Sequence, residues 1–462
     1  MNMSDVLMRN WKGSITYRAH TVEAVERVDD IIRIVKDRRT YPDPVRVRGS
    51  HHSTTRCLVA EQGTVIDMRR MNRILEIDPV GKRIRMEAGV LHIDAAKELE
   101  KHGLQFYVNC EIGNMTVGSG ACGGTKDASY IASDGTWEYG QVASYVVGMK
   151  AVQADGTILE VTEDDGELLE VMRSSYGMLG VIFEVTFKVR GLEAMVVEHV
   201  HYDVDDFAAR LDEILAQQRS VMLYLFPFLD SVVVEYRYPG AGSGPPASGA
   251  WQWRVRNVTW KTLWPAIGRI LTTTVPAKRF RSWLLDRLNR VTQIVMTALI
   301  RRRATSPTDQ IIRYPETAGF AAYTFSIWAF PRSEYANAIK AYYKFCRNYF
   351  NEHRYRCDLM NVGYHIAQDQ QSLFSYTRDW PALTLDPVST GSDGWEEFLD
   401  AYNEFCIAHN AKPLFNQSPR LKPEQAQAAF GSQIQTFLAY RQRFDPDQRF
   451  YTAYFRELFE PS

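Results

Sequence analysis

Two adjacent histidines, His51 and His52, stand in the stretch RVRGSHHSTT, between Gly49-Ser50 and Ser53. A β-type run, VRV, leads into this small-residue turn, and a second strand-like run, TVIDM, follows it. Gly49 and Ser50 place little bulk at the turn, so its backbone N–H groups can close on an anion. A metal role for the histidines is poor. Adjacent side chains on extended backbone point to opposite faces, and no matching His/Cys/Asp cluster accompanies them. A second glycine-rich block, NMTVGSGACGGTKDAS, begins at Asn114, and Gly177 and Gly180 bound a third turn. The first two are neither G-x-G-x-x-G in a strand–helix context nor GxxxxGK[ST], so the common dinucleotide and P-loop motifs are excluded. Two separate loops can still clamp one pyrophosphate from both sides with backbone donors. Taken singly, each is an ordinary turn.

The elements that must hold these loops read as an α/β unit over residues 20–190. TVEAVERVDDIIRIVKDRR has apolar residues near helical spacing, and HIDAAKELEKHG is a second helix ended by Gly103. Hairpin turns fall at DPVGK and at Asp155-Gly156. Residues 195–430 alternate aromatic strand-like runs (SVMLYLFPFLDSVVVEYRY, AAYTFSIWAFP, CDLMNVGYHIAQ) with helices such as SEYANAIKAYYKFCRNYFNEH. This second part is expected to be an antiparallel sheet flanked by helices, with a flexible break at AGSGPPASGA, 241–250. Residues 431–462 form a helix, a turn at Asp445-Pro446 and a closing segment.

The chain has 462 residues, 45% hydrophobic and 24% charged, which fits two or three globular domains rather than disorder. Six scattered cysteines without a CxxC argue against a disulfide framework or zinc site and for a reducing compartment. The first twenty residues lack the apolar core of a signal peptide, and no run of about 18 apolar residues spans a membrane. The expected location is therefore cytoplasmic, with a peripheral membrane contact left open.

The ordered series RGSHHS, VIDM, MEAGV, NMTVGSGACGGT, VVGMKAVQADG and YGMLGVIFEVTF resembles the flavin domain of the vanillyl-alcohol oxidase/p-cresol methylhydroxylase superfamily (PCMH-type). The resemblance covers residues 15–190, and FDPDQRF resembles the family's closing segment. In overall layout the chain looks nearest to aldonolactone and alditol oxidases and decaprenylphosphoryl-ribose oxidase. The resemblance implies an α+β protein: a two-part FAD-binding domain at 15–190, a substrate or cap domain at 195–430, and a C-terminal segment, 431–462, returning to the first. It implies FAD-dependent removal of a hydride from the hydroxyl-bearing carbon of an alcohol, sugar or lactone-like substrate to flavin N5, with reoxidation by O2 or another acceptor. Arg48, Gly49, Ser50 and Ser53 would line one side of the pyrophosphate, and Thr116, Val117, Gly118, Ser119, Gly120, Cys122 and Gly123 the other. Gly177, Gly180 and Val181 would grip the adenosine end. Many members carry FAD on the histidine of Gly-x-Gly-His-Ser. Matching Gly49 and Ser53 assigns that position to His52 rather than His51, as a covalent anchor or as an unlinked loop histidine. An LTVGG-like loop and an ADG strand also resemble sterol side-chain reductases, so an NAD(P)H-dependent C=C reductase and a non-catalytic, membrane-docked flavoprotein stay open beside the oxidase.

Hydride removal from a CH–OH carbon requires a proton acceptor and hydrogen-bond donors at the oxygen. Tyr364, His365, Asn416 and Gln417 are the candidates, with Lys126 facing the flavin; strand alternation lets only one of Tyr364 and His365 face a pocket. One segment resists this account. Residues 251–303 hold 12 Lys/Arg against one acid, and five of the ten tryptophans, in a chain of net charge −1. Within 278–303, Phe280, Trp283, Leu284, Leu288, Val291, Val295 and Leu299 recur at three- and four-residue spacing, with Lys278, Arg279, Arg281, Arg287 and Arg290 between them. A core-facing helix with a solvated basic side, a helix on an anionic membrane and a subunit contact all fit. Nucleic acid is not expected, and the oligomeric state is not legible.

Overall fold

The structure, a computed structural model, describes residues 5–131, 137–240, 249–300 and 304–461. Most of the 241–250 break and Arg301 to Arg303 lie outside the described residues. The N-terminal part has a small parallel sheet in which Thr64–Asp67 lies between Thr21–Ala24 and Val45–Arg48. The first predicted helix is corrected here. Thr21–Ala24 is a strand, and the helix is only Val28–Lys36. Pairing with Thr64–Asp67 takes the β-branched start of the run, and the Asp30 carboxylate accepts from the Glu26 and Arg27 amides to start the helix. The second predicted helix is His92–Lys101, with Gly103 left-handed at φ 67° just past it.

Beside this lies a six-stranded antiparallel sheet, running Ile158–Thr162, Val146–Val152, Val181–Gly191, Arg83–Glu87 and Ile74–Asp78. Leu104–Phe106 pairs with the far end of Val181–Gly191. Both hairpin turns are closed by their own aspartates: Asp78 accepts from Val80 and Gly81, and Asp155 from Thr157.

The second part is an eight-stranded antiparallel sheet whose centre is Ser231–Pro239, Ser220–Phe226, Asn361–Ile366 and Ala382–Leu385. Ser220–Phe226 is buried along its whole length, so its two faces serve different purposes. Val221, Leu223 and Leu225 join the main core with Tyr335, Ile339 and Tyr342 of the helix Arg332–His353. Met222, Tyr224 and Phe226 turn to the other face with Val362 and Tyr364. On that same face Glu235 accepts from Tyr224, His199 is 3.0 Å from Glu235, and Arg237 bridges Glu235 to Asp127 of the glycine-rich block. A buried charge is tolerated only when paired and hydrogen-bonded, so this network fixes how the sheet sits on the loop after residue 123. The whole is an α+β architecture of two parts.

The basic segment forms helices Trp251–Val258, Trp264–Thr274 and Lys278–Leu299. Most of the predicted apolar stripe faces outward. Leu285, outside the predicted stripe, is buried, and Leu288 turns inward, whereas Phe280, Trp283, Val291 and Val295 are exposed. No described helix is long and apolar enough to cross a membrane. At the other end of the chain, the buried Arg449 donates to the carbonyls of Ile34, Val35 and Tyr41, and its own carbonyl accepts from the Val45 amide.

Candidate active site

The two glycine-rich loops face each other across a channel. A Cβ on Gly49 would come within 2.4 Å of Thr116 Oγ1 and 3.2 Å of Ser119 Oγ; glycine is the residue that permits this approach. Beyond it the amides of Gly49, Ser50, His51, His52 and Ser53 find no acceptor among the described residues. His51 has φ 54°, which bends the loop, and the Ser50 hydroxyl anchors it by donating to Asn114 O. Five consecutive unsatisfied donors around a cavity form a nest for a phosphate-type anion.

Two cavities, of about 250 and 120 Å³, meet at this point; Val47, Ser53, Leu58, Thr116, Ser119 and Asn416 line both. In the smaller cavity the buried Arg46 donates to the carbonyls of Cys57, Tyr176 and Phe450, and its Nε has no partner. Its contacts include no carboxylate among the described residues, and burial lowers its pKa. An uncompensated guanidinium beside free amides completes an anion site. In the larger cavity the His52 ring packs on Trp11 at 5.1 Å. Its Nε2 is buried without a partner, and desolvation, against a hydrogen bond with Asn114, lowers its pKa to about 4. His52 is therefore neutral at pH 7, with a lone pair available for bonding.

The far end of the larger cavity holds the reactive groups. Lys126 Nζ is 2.8 Å from Asp386 Oδ2, both almost fully buried, and 3.6 Å from the centroid of the Tyr364 ring. Thr384 Oγ1 donates to the same Oδ2 at 3.1 Å. Asp386 Oδ1 is buried and has no partner. Burial pushes the carboxyl up to about 6 against the pull of Lys126, and burial lowers the Lys126 pKa. A carboxylate with one oxygen clamped and the other free, titrating near neutrality, is equipped to take a proton. Asn416 stands at the junction of the cavities, its Nδ2 donating to Gly124 O at 2.9 Å and its Oδ1 unpartnered.

The comparisons agree with this geometry. Residues 19–162 match the FAD binding domain family. The chain is 25% identical over 249 residues to the L-gulonolactone oxidase of Mus musculus, covering 54% of each protein. It is 29% identical over 239 residues to that of Bos taurus, covering 50% of each. The matched stretch thus spans about half the length of these relatives. L-gulono-1,4-lactone dehydrogenase of Mycobacterium tuberculosis aligns over 459 residues at 22% identity, 98% of this chain and 99% of that one. Among solved structures, cholesterol oxidase from B. sterolicum superposes with a TM-score of 0.81 at 14% identity, over 99% of this chain and 97% of that chain, and so shares the fold. In its FAD binding domain and its relatives the chain is similar to flavin-dependent lactone oxidases and dehydrogenases.

FAD is the cofactor that this domain implies, and the free amides, Arg46 and the orphaned His52 nitrogen fit it. Gly49, Ser50, His51, His52, Ser53, Thr116 and Ser119 line the larger cavity, as do Lys126, Tyr364, Asn416 and Gln417. Gly118, Cys122, Gly123 and Gly177 line the smaller. Several expected residues lie elsewhere. His365 faces away, stacked edge-on against Trp137 with neither ring nitrogen partnered, because the strand turns Tyr364 toward the cavity instead. Arg48 lines neither cavity and lies 3.6 Å from Asp67. The amides of Val117, Gly118, Gly120 and Gly123 are spent on Val90, Ala88, Thr116 and Ser119 carbonyls, so what the second loop offers is concentrated at Thr116 and Ser119, whose hydroxyls line both cavities. Val117 and Gly120 are packed outside the lining. At Gly180 a Cβ would strike Val152 O at 2.9 Å, which makes it a close-packing residue beside the buried Val181. Asp386 and Arg46 escaped the sequence reading. The signal for the first was a lone acid closing the apolar run ALTL before a proline.

Proposed function

We propose that the chain is an FAD-dependent oxidase or dehydrogenase acting on a CH–OH group. The observation that carries this reading is the unpartnered Asp386 Oδ1 in a cavity continuous with the anion channel. Bound FAD supplies the hydride acceptor. The substrate hydroxyl gives its proton to Asp386 Oδ1 while its carbon loses the hydride, and the C–O single bond becomes a carbonyl. Lys126 holds Asp386 ionised at neutral pH, and the Tyr364 ring and Asn416 Oδ1 orient the substrate. The names of the relatives, lactone oxidases and dehydrogenases, support a hydroxyl-bearing small molecule, with O2 or another acceptor reoxidising the cofactor. His52, whose Nε2 is buried without a partner, would hold FAD at this end of the cavity, as a covalent anchor through that nitrogen.

The protein is expected to purify yellow with one FAD per chain, and an alcohol substrate added without air should bleach the oxidised flavin spectrum. Folded protein that takes up no FAD overturns the reading. Bleaching by NAD(P)H alone marks a C=C reductase instead, and bleaching by neither marks a non-catalytic flavoprotein.

A peripheral contact with an anionic membrane through the 278–303 region belongs to the same reading. Ten of the fifteen large apolar side chains exposed among the described residues fall between Trp251 and Val295, interleaved with Arg279, Arg287 and Arg290. Each interfacial cation contributes roughly 1 kcal/mol. Reversing these three arginines to glutamate should abolish sedimentation with anionic vesicles. Wild-type binding should weaken as salt rises, since the Debye length is about 8 Å at physiological ionic strength. Indifference of the wild type to anionic and neutral vesicles alike removes the membrane contact.

A further inference from the structure

One layer of helices separates the exposed apolar face from the reactive cavity. Trp260, Trp264, Pro265 and Leu288 line the cavity from inside, while Leu263, Ile270, Trp283 and Ile294 of the same segment are exposed outside. The opposite wall near this end is Leu359, Met360 and Val362. Polar groups here are mostly occupied within the protein. Thr292 donates to Leu288 O at 2.9 Å, and Asp358 accepts from the Thr390 amide at 2.8 Å and from the Thr390 and Ser392 hydroxyls. Trp264 Nε1 is a buried donor without a partner, and the half-buried Asn289 also lines the cavity. A sugar lactone carries oxygen on nearly every carbon, and each would lose its hydration here without compensation. The cavity is polar at the Lys126–Asp386 end and apolar toward the helical wall.

We propose that the substrate is an amphiphile, a hydroxyl group on a long apolar body, that enters from the membrane side through the wall formed by residues 251–299. This rests on the oxidation reading for the fate of the hydroxyl and on the membrane reading for the route. The hydroxyl reaches Asp386 Oδ1 and Asn416, the body lies along Trp260, Trp264 and Leu288, and the exposed face of the helices sits in the lipid surface that supplies it. Charge favours an anionic bilayer over a second copy of this chain, because the face is basic and a copy would present the same sign.

The test uses the full chain and terminally brominated straight-chain alcohols, from bromobutanol to bromohexadecanol, read by quenching of tryptophan fluorescence. Affinity should tighten about fourfold per added methylene until the cavity is filled. Quenching should be lost when Trp260 and Trp264 are both replaced by phenylalanine. Leu288→Asn should flatten the chain-length series. Ile294→Asp, on the outer face, should slow transfer of bromohexadecanol from anionic vesicles several-fold yet leave bromobutanol affinity unchanged. A flat series in the wild type, or displacement of bromohexadecanol by equimolar L-gulono-1,4-lactone, overturns the amphiphile; equal transfer rates for wild type and Ile294→Asp overturn the membrane route. Chain-length dependence without flavin bleaching would sink only the oxidation reading, and bleaching by the lactone with a flat series would sink only this one.

Discussion

Asp386→Asn should lower kcat by about a hundredfold to ten-thousandfold, the usual contribution of a positioned proton acceptor. The amide keeps the shape of the carboxyl and its contact with Thr384, but Oδ1 can no longer take a proton. In the native chain kcat/KM should fall as pH drops through about 6, the value to which burial raises this carboxyl, because the base is active only when ionised. That acid limb should vanish from the residual activity of the variant. Removing the charge also strands buried Lys126, which costs roughly 3–5 kcal/mol. The double variant Asp386→Asn with Lys126→Met removes both charges and should regain stability, measured by thermal melting, while staying inactive. A single variant that retains the native rate and the limb near pH 6 would falsify the assignment.

His52→Ala should move essentially all of the flavin from the acid-precipitated pellet to the supernatant, whereas His51→Ala should leave it in the pellet. The two rings are distinguished by what they touch. His51 Nδ1 lies 3.1 Å from Arg9 O, while His52 stacks on Trp11 with its outer nitrogen free. The His52→Ala protein should still bind FAD without a bond, since the amides of 49–53 and Arg46 are untouched. Flavin recovered in the supernatant of the wild type ends the covalent proposal and leaves FAD binding intact.

The loops were legible in the sequence because the demand they meet is local. A backbone that must pass within van der Waals contact of another strand requires glycine, and Gly49 shows it as plainly in one dimension as in three. The same local reading overreached at residues 117–123, where glycine meant close packing and the amides were already bonded to Ala88 and Val90 carbonyls. Alternation within NVGYHI limited the cavity to one of two neighbours, but which one depends on how the strand pairs with Ser220–Phe226. Asp386 stands 260 residues from Lys126, and nothing in either neighbourhood announces the other. The basic segment stayed open. Three- and four-residue spacing defines a stripe, but not whether core or surroundings receive it, and here Leu285 and Thr292 face in while Trp283 and Ile294 face out.

Arg449 and Phe450 reach back more than 400 residues, the first bonded to the carbonyls of Ile34 and Val35, the second giving its carbonyl to Arg46 in the smaller cavity. The cofactor channel is therefore begun early in this sequence and completed by residues far downstream of it. While the chain is being synthesised, Arg46 is made long before the Phe450 carbonyl that holds one of its nitrogens. Its guanidinium waits without that acceptor while some 400 further residues are added. Assembly of the flavin site is thereby placed after residues 449 and 450 have been made and brought back to the first strands.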